Sequence, residues 1–202
     1  MLPLLKGMLL GLSIAAPVGP IGILCIRRTL AFGRLYGFLS GLGAATADAC
    51  YGLVAGLGLT LIMNFLLDQK MLLQAAGGLF LLYFGIQTFR SSPATDPAKA
   101  KSESLLSAYL STLMLTLSNP MTILSFVGLF TGLGLGAGQG ALSSTVAFIA
   151  GVFTGSALWW LTISVIVGIW RDRLKTGALK WVNRISGVIV ILFGIISLLS
   201  LL

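Results

Sequence analysis

The sequence predicts an all-α membrane protein of six transmembrane helices, arranged as two inverted three-helix repeats. Three observations carry this expectation: too little charge to cover a soluble globule, apolar runs of membrane-spanning length separated by basic segments, and a helix-by-helix likeness between the two halves. Of the 202 residues, 57% are hydrophobic and 9% charged, where a soluble domain carries roughly 25% charged residues. Mean hydropathy is +1.03. One membrane crossing takes about 20 apolar residues at ~1.5 Å rise each.

The elements follow from where charge is missing. Gly7–Ile26 is uncharged and places a first span at 3–26. Ala15-Ala16 resembles the end of a cleavable signal peptide, but Pro17 would follow the cut and the apolar run continues, so this segment is expected to be a retained helix. A second span is expected at 36–62, inside a run whose sole charge is Asp48, and a third at 70–90. Ser91–Ser104 is a polar linker with two prolines. Ser104–Trp170 is uncharged but too long for one crossing. The glycine-rich stretch 132–140 divides it into spans at 105–131 and 141–170. A sixth span, 180–202, closes the chain. The units are thus a first repeat at 1–90, a cytoplasmic linker at 91–104 and a second repeat at 105–202.

Loop charge sets the expected orientation. The first connection holds Arg27, Arg28 and Arg34, the third Arg90, Lys99 and Lys101, and the fifth Arg171, Arg173, Lys175, Lys180 and Arg184. The second offers only Asp68 and Lys70, and the fourth no charge. Odd-numbered loops are therefore expected in the cytoplasm and both termini outside. The net charge of +8 is spread between apolar runs without interleaved aromatics, which excludes a nucleic-acid partner.

The repeat is read from matched positions. Gly78, Phe84, Gly85 and Ile86 recur as Gly187, Phe193, Gly194 and Ile195 at an offset of 109; Phe38, Gly41 and Ala47 recur as Phe148, Gly151 and Ala157 at 110. Ala16-Pro17 in the first helix parallels Asn119-Pro120 in the fourth. An odd number of helices per unit inverts the second unit, an architecture of many secondary transporters. Gly37-xxx-Gly41 and Gly151-xxx-Gly155 are expected to let helices approach closely.

Chemistry is expected at the paired interruptions. Proline breaks a helix, and the freed backbone groups need other partners. Pro17, Gly19 and Pro20 sit ~15–20 Å into the first span at helical rise, with Ser118, Asn119 and Pro120 at the corresponding depth of the fourth. These six are the candidate substrate-binding residues. Asp48 lies ~18 Å beyond Tyr36 and is the sole acid in any expected membrane core. A charge at that depth costs roughly 2.5–3.5 kcal/mol on insertion scales, which marks Asp48 as the candidate proton-coupling residue. Leu158 takes its pseudo-symmetric place. Trp159 and Trp160 fall mid-span, where they could wall a pocket or simply pack.

Other chemistry is excluded or thinly supported. The chain has no histidine and two cysteines, Cys25 and Cys50, so neither a Ser-His-Asp triad nor a zinc site is expected. No P-loop pattern is present. No catalytic residue, metal site or cofactor is expected, and the chain is not expected to be an enzyme. The expected partners are a small-molecule substrate, protons and the lipid bilayer; homo-oligomerisation is left open.

The stretch APVGPIGILCIRRTLAFGRLYGFLSGLGAATADACYG resembles the amino-terminal signature of the LysE/RhtB superfamily of amino-acid exporters. SNPMTILSF resembles that family's Asn-Pro motif, and GGLFLLYFGIQTFR and RISGVIVILFGI resemble the ends of its two halves. One departure is that Ile21 follows Pro20, where many members have Asp or Asn; another is that Val18 separates Pro17 from Gly19. The resemblance implies proton-exchanged efflux of amino acids or similar small solutes across a bacterial cytoplasmic membrane. The alternatives are a membrane thiol–disulfide carrier using Cys25 and Cys50, or export of a non-amino-acid solute or metal ion.

Overall fold

The computed structural model describes residues 2–17, 19–56, 68–90, 104–119, 122, 123, 125, 126, 142–171 and 176–201. Its bounded helices are α1 (Leu2–Ala15), α2 (Pro20–Phe32), α3 (Arg34–Gly56), α4 (Lys70–Arg90), α5 (Leu105–Leu117), α6 (Leu142–Arg171) and α7 (Thr176–Leu199). No strand occurs among the described residues. Two helices, α4 and α6, are individually long and apolar enough to cross a membrane, and α1 with α2 passes the same test as a pair bent by 82°.

The exterior is largely apolar, and the interior combines an apolar core with buried polar and charged side chains. Leu9, Leu72, Tyr83, Ile196 and Leu199 are exposed, whereas Arg28, Ser40, Asp48, Thr112 and Ser156 are buried. Lipid can solvate the former, and only protein or enclosed water can satisfy the latter.

The expected first span is divided. α1 stops at Ala15, and α2 restarts at Pro20, with Gly19 as N-cap and Pro20 at the first helical position. Proline suits that position, because its missing N–H would have no intrahelical partner anyway. At the other end, Gly33 has φ 106° and returns its N–H to the Thr29 carbonyl, ending α2 one residue before α3 begins. That backbone conformation favours glycine.

This arrangement corrects the expected first loop. Arg27 and Arg28 are not in a connection; they belong to α2 and are buried. Arg28 is 0% exposed, and its Nη1 donates to Ser40 Oγ (3.1 Å), the Ala108 carbonyl (3.0 Å) and Thr112 Oγ1 (2.8 Å). Its Nη2 donates to Ser111 Oγ at 2.8 Å. Both guanidinium groups stand over the Phe84 ring, at 5.5 and 5.4 Å. Two of the three arginines assigned to that loop therefore tie α2 to α3, α4 and α5 instead of facing cytoplasm.

Glycine seams join the helices. A Cβ added at Gly151 would lie 2.2 Å from the Leu4 carbonyl oxygen, and one at Gly155 2.0 Å from that of Met8. From the other side, Gly7 and Gly11 meet the Phe148 and Val152 carbonyls, each at 2.1 Å. Contacts advance together along both chains, so α1 and α6 run parallel, backbone against backbone. α4 and α7 run antiparallel, with Gly78 beside Gly194 and Gly85 beside Gly187. Gly43 of α3 abuts the Tyr109 carbonyl of α5, and Gly41 seats the Trp160 side chain of α6.

Candidate substrate cavity

The break between α1 and α2 opens onto a cavity of about 710 Å³, within the range of roughly 300–1,000 Å³ common for small-molecule sites. Pro17, Gly19 and Pro20 line it, followed by Ile21 and Gly22 of the first turn of α2. α3 contributes Ala44 and Asp48; α4 contributes Gln74, Gly77 and Leu81. Leu115, Thr116, Ser118 and Asn119 enter from the end of α5, with Thr122 and Ser125 just beyond. Trp160 of α6 and Phe193, Ile196 and Ser197 of α7 complete the wall.

Five of the six expected substrate-binding residues, and Asp48 with them, thus surround one space. Pro120 lies outside the described residues. The second interruption falls where expected, since α5 ends at Leu117 with Ser118 as its C-cap. Beyond it the backbone turns, with the Asn119 N–H donating to the Thr116 carbonyl at 3.1 Å and the Thr122 N–H to the Asn119 carbonyl at 3.1 Å.

Asp48 is 3% exposed. The Ser156 hydroxyl donates to its Oδ2 at 2.7 Å, fixing one oxygen, and the side chain also faces the cavity. One turn further along α3, Tyr51 donates to the Leu117 carbonyl at 2.6 Å, tying α3 to the end of α5. The α4–α7 side is closed by Gln74, whose Nε2 donates to the Ser197 carbonyl (2.9 Å) and to Ser200 Oγ. Ser197 Oγ returns a bond to the Gln74 carbonyl at 3.2 Å. Trp160 is 4% exposed, and its indole Nε1 is buried with no acceptor among the described residues.

Ser156, Gln74 and Ser197 were not among the sequence candidates. A search confined to charges and prolines passes over hydroxyls and amides; Gln74, an amide inside an apolar span, was the available signal. Of the two mid-span tryptophans, Trp160 lines the cavity, while Trp159 packs half-buried against the adjoining core. Leu158 is 43% exposed and takes no part. Cys25 is buried and Cys50 exposed, both as free thiols. No cluster of three metal-ligating side chains occurs among the described residues.

An apolar exterior, buried polar and charged side chains and a solute-sized cavity at paired helix interruptions define a membrane translocator of small solutes. Residues 12–200 match the family described as LysE type translocator, and the chain belongs to that family. It is similar to the protein of Bacillus subtilis (strain 168) named "Putative amino acid efflux protein YcgF", at 28% identity over 94% of this chain and 92% of that one. It is also 28% identical to the uncharacterized membrane protein YahN of Escherichia coli (strain K12), covering 84% of this chain and 77% of YahN. A Synechocystis membrane protein, slr1627, is 22% identical over 93% and 91% of the two chains. No solved structure matches the chain significantly.

Proposed function

We propose that this translocator exports amino acids or similar small solutes across a bacterial cytoplasmic membrane by proton antiport, working through alternating access. The observation that carries this reading is the convergence of both helix interruptions and Asp48 on one cavity. The positive end of α2, formed by backbone N–H groups that have no partner within the helix, meets the substrate's carboxylate. Ser118 and Asn119 add polar contacts from the opposite interruption, and Asp48 carries the proton inward. The efflux function named for the Bacillus subtilis relative supports the direction of transport.

Alternating access through two inverted repeats is part of the same proposal. Gly78 and Gly85 are the repeat counterparts of Gly187 and Gly194, and they meet crosswise, Gly78 with Gly194 and Gly85 with Gly187. A local two-fold axis between α4 and α7 produces that cross-pairing. The first helix of each half also packs on the second of the other, α1 on α6 and α5 on α3. Both termini are assigned to the outside, now on the charge of the linker and the fifth loop.

The test is transport by the chain reconstituted in liposomes, with and without an imposed pH gradient. Wild type accumulates a labelled amino acid against its gradient only when the pH gradient is present. Asp48→Asn loses this uphill transport, because an amide in place of the carboxyl cannot take up and release a proton. Undiminished gradient-driven transport by the variant would reduce Asp48 to a hydrogen-bond acceptor for Ser156.

A further inference from the structure

The cavity is chemically lopsided. Its walls are largely apolar, with Ile14, Leu81, Leu115, Phe193 and Ile196 prominent, and Asp48 is the sole ionisable side chain among its described lining residues. No cation lines it. An anionic cargo would therefore face a carboxylate with only hydroxyls, amides and helix dipoles to oppose it. A cargo with two positive groups would leave one of them against hydrocarbon.

Two donor features complement that single acceptor. The positive end of α2 opens into the cavity at Gly19, which offers no side-chain cap. Independently, Trp160 lines the same space, and its buried indole N–H has no acceptor among the described residues. One acid and two donors suit a molecule with one ammonium group, one carboxylate and an apolar side chain.

Resting on the amino-acid export reading above, we infer that Asp48 is the receptor for the cargo's ammonium group as well as the proton site, so that cargo and proton exclude one another on one carboxylate. Ser156 holds Oδ2 of Asp48 at 2.7 Å and leaves the rest of the carboxylate to the cavity. A zwitterion bound there leaves the loaded site with one net negative charge. The protonated site is neutral. Each cycle then carries one amino acid out and one proton in, moving one positive charge inward, so an inside-negative membrane potential drives export.

The groups around Asp48 leave it this role. On α3, Cys50 is exposed, and Tyr51 donates to Leu117. On α2, Cys25 is buried, Arg28 is turned onto Ser40, Ser111 and Thr112, and Arg27 lies with it over Phe84. Tyr109 of α5 donates to Thr46 Oγ1 at 2.9 Å, Arg171 of α6 donates to the Leu30 carbonyl at 3.0 Å, and Lys6 of α1 is exposed. None of these lines the cavity.

The experiment is calorimetric titration of the purified full chain with L-leucine, isoamylamine (leucine without its carboxylate), isocaproate (leucine without its amine), L-lysine and L-glutamate, at neutral and acid pH. Leucine and isoamylamine bind; isocaproate binds about tenfold more weakly or worse, because it forfeits a charge-assisted contact. Lysine and glutamate are each weaker than leucine. Acidification weakens leucine binding to wild type, and Asp48→Asn abolishes both this pH dependence and the preference for leucine over isocaproate. Isocaproate binding as tightly as leucine would overturn the inference, and this arm uses wild type alone, so it stands even if the variant does not fold. Leucine transported by liposomes together with equal isocaproate binding would leave amino-acid export standing and sink the ammonium receptor. Isoamylamine bound with leucine neither bound nor transported would do the opposite.

Discussion

Two alanine substitutions with the same chemistry and opposite surroundings give a sharp test of the α1–α6 seam. At Gly155, the new Cβ would sit 2.0 Å from the Met8 carbonyl oxygen and 2.9 Å from its Cα, all backbone atoms that no rotamer change can move. Ordinary contact begins near 3.4 Å, so α1 must retreat by about 1.4 Å, and overpacking of this kind costs about 1–3 kcal/mol. At Gly52, the new Cβ would meet Val152 Cγ2 at 3.5 Å, already an ordinary contact. Both substitutions gain the same helix propensity, about 1 kcal/mol over glycine, so that gain cancels between them. A chain of this size loses roughly 2–4 °C of Tm per kcal/mol. For a mid-range penalty of about 2 kcal/mol, Gly155→Ala therefore melts about 4–8 °C below Gly52→Ala. Thermal unfolding of the two purified variants in one detergent, followed by circular dichroism, makes the comparison. A Gly155→Ala protein melting at or above Gly52→Ala would refute the close backbone approach of α1 and α6.

Arg28→Lys should lower Tm by several degrees, since an ammonium group cannot span the acceptors that the guanidinium reaches on α3 and α5, and each charged hydrogen bond lost costs about 1.5–3 kcal/mol. A melt unchanged from wild type would show that Arg28 does not bind those helices together. Ser156→Ala should cost about 1 kcal/mol of stability and alter the pH dependence of transport, since Asp48 loses the Ser156 donor; transport at varied pH with an unaltered profile would exclude that link. With Cys25 and Cys50 replaced by serine, Ala98→Cys should resist an impermeant thiol reagent in intact cells and react in permeabilised ones. Labelling in intact cells would reverse the orientation.

Much of the scaffold was legible because its signals are local. The span expected at 70–90 is α4, and that expected at 141–170 is α6 shifted by one residue. Proline and glycine act on their own backbone, so the break at Pro17–Pro20 and the end of α5 before Asn119 could be read directly. What escaped was inward-facing polarity. Counting charge treats an arginine as a group that must reach water, yet the Nη groups of Arg28 donate inside the protein to Ser40, Ser111 and Thr112, of which the last two lie more than 80 positions away in sequence. Ser156 becomes a candidate only once Asp48, 108 residues earlier, is seen beside it. Trp159 and Trp160 are neighbours on one helix and differ only in the direction they face, which packing by α3 decides.

The parallel seam between α1 and α6 also has a bearing on how the chain is made. α1 is finished at Ala15, while its partner is not complete until Arg171. At a synthesis rate of ~5–20 residues per second, the interval is on the order of ten seconds. Until Phe148 and Val152 are made, Gly7 and Gly11 lack the backbone that opposes them in the finished fold. A chain stalled before Leu142 would keep that seam open indefinitely, since none of α6 would exist to close it.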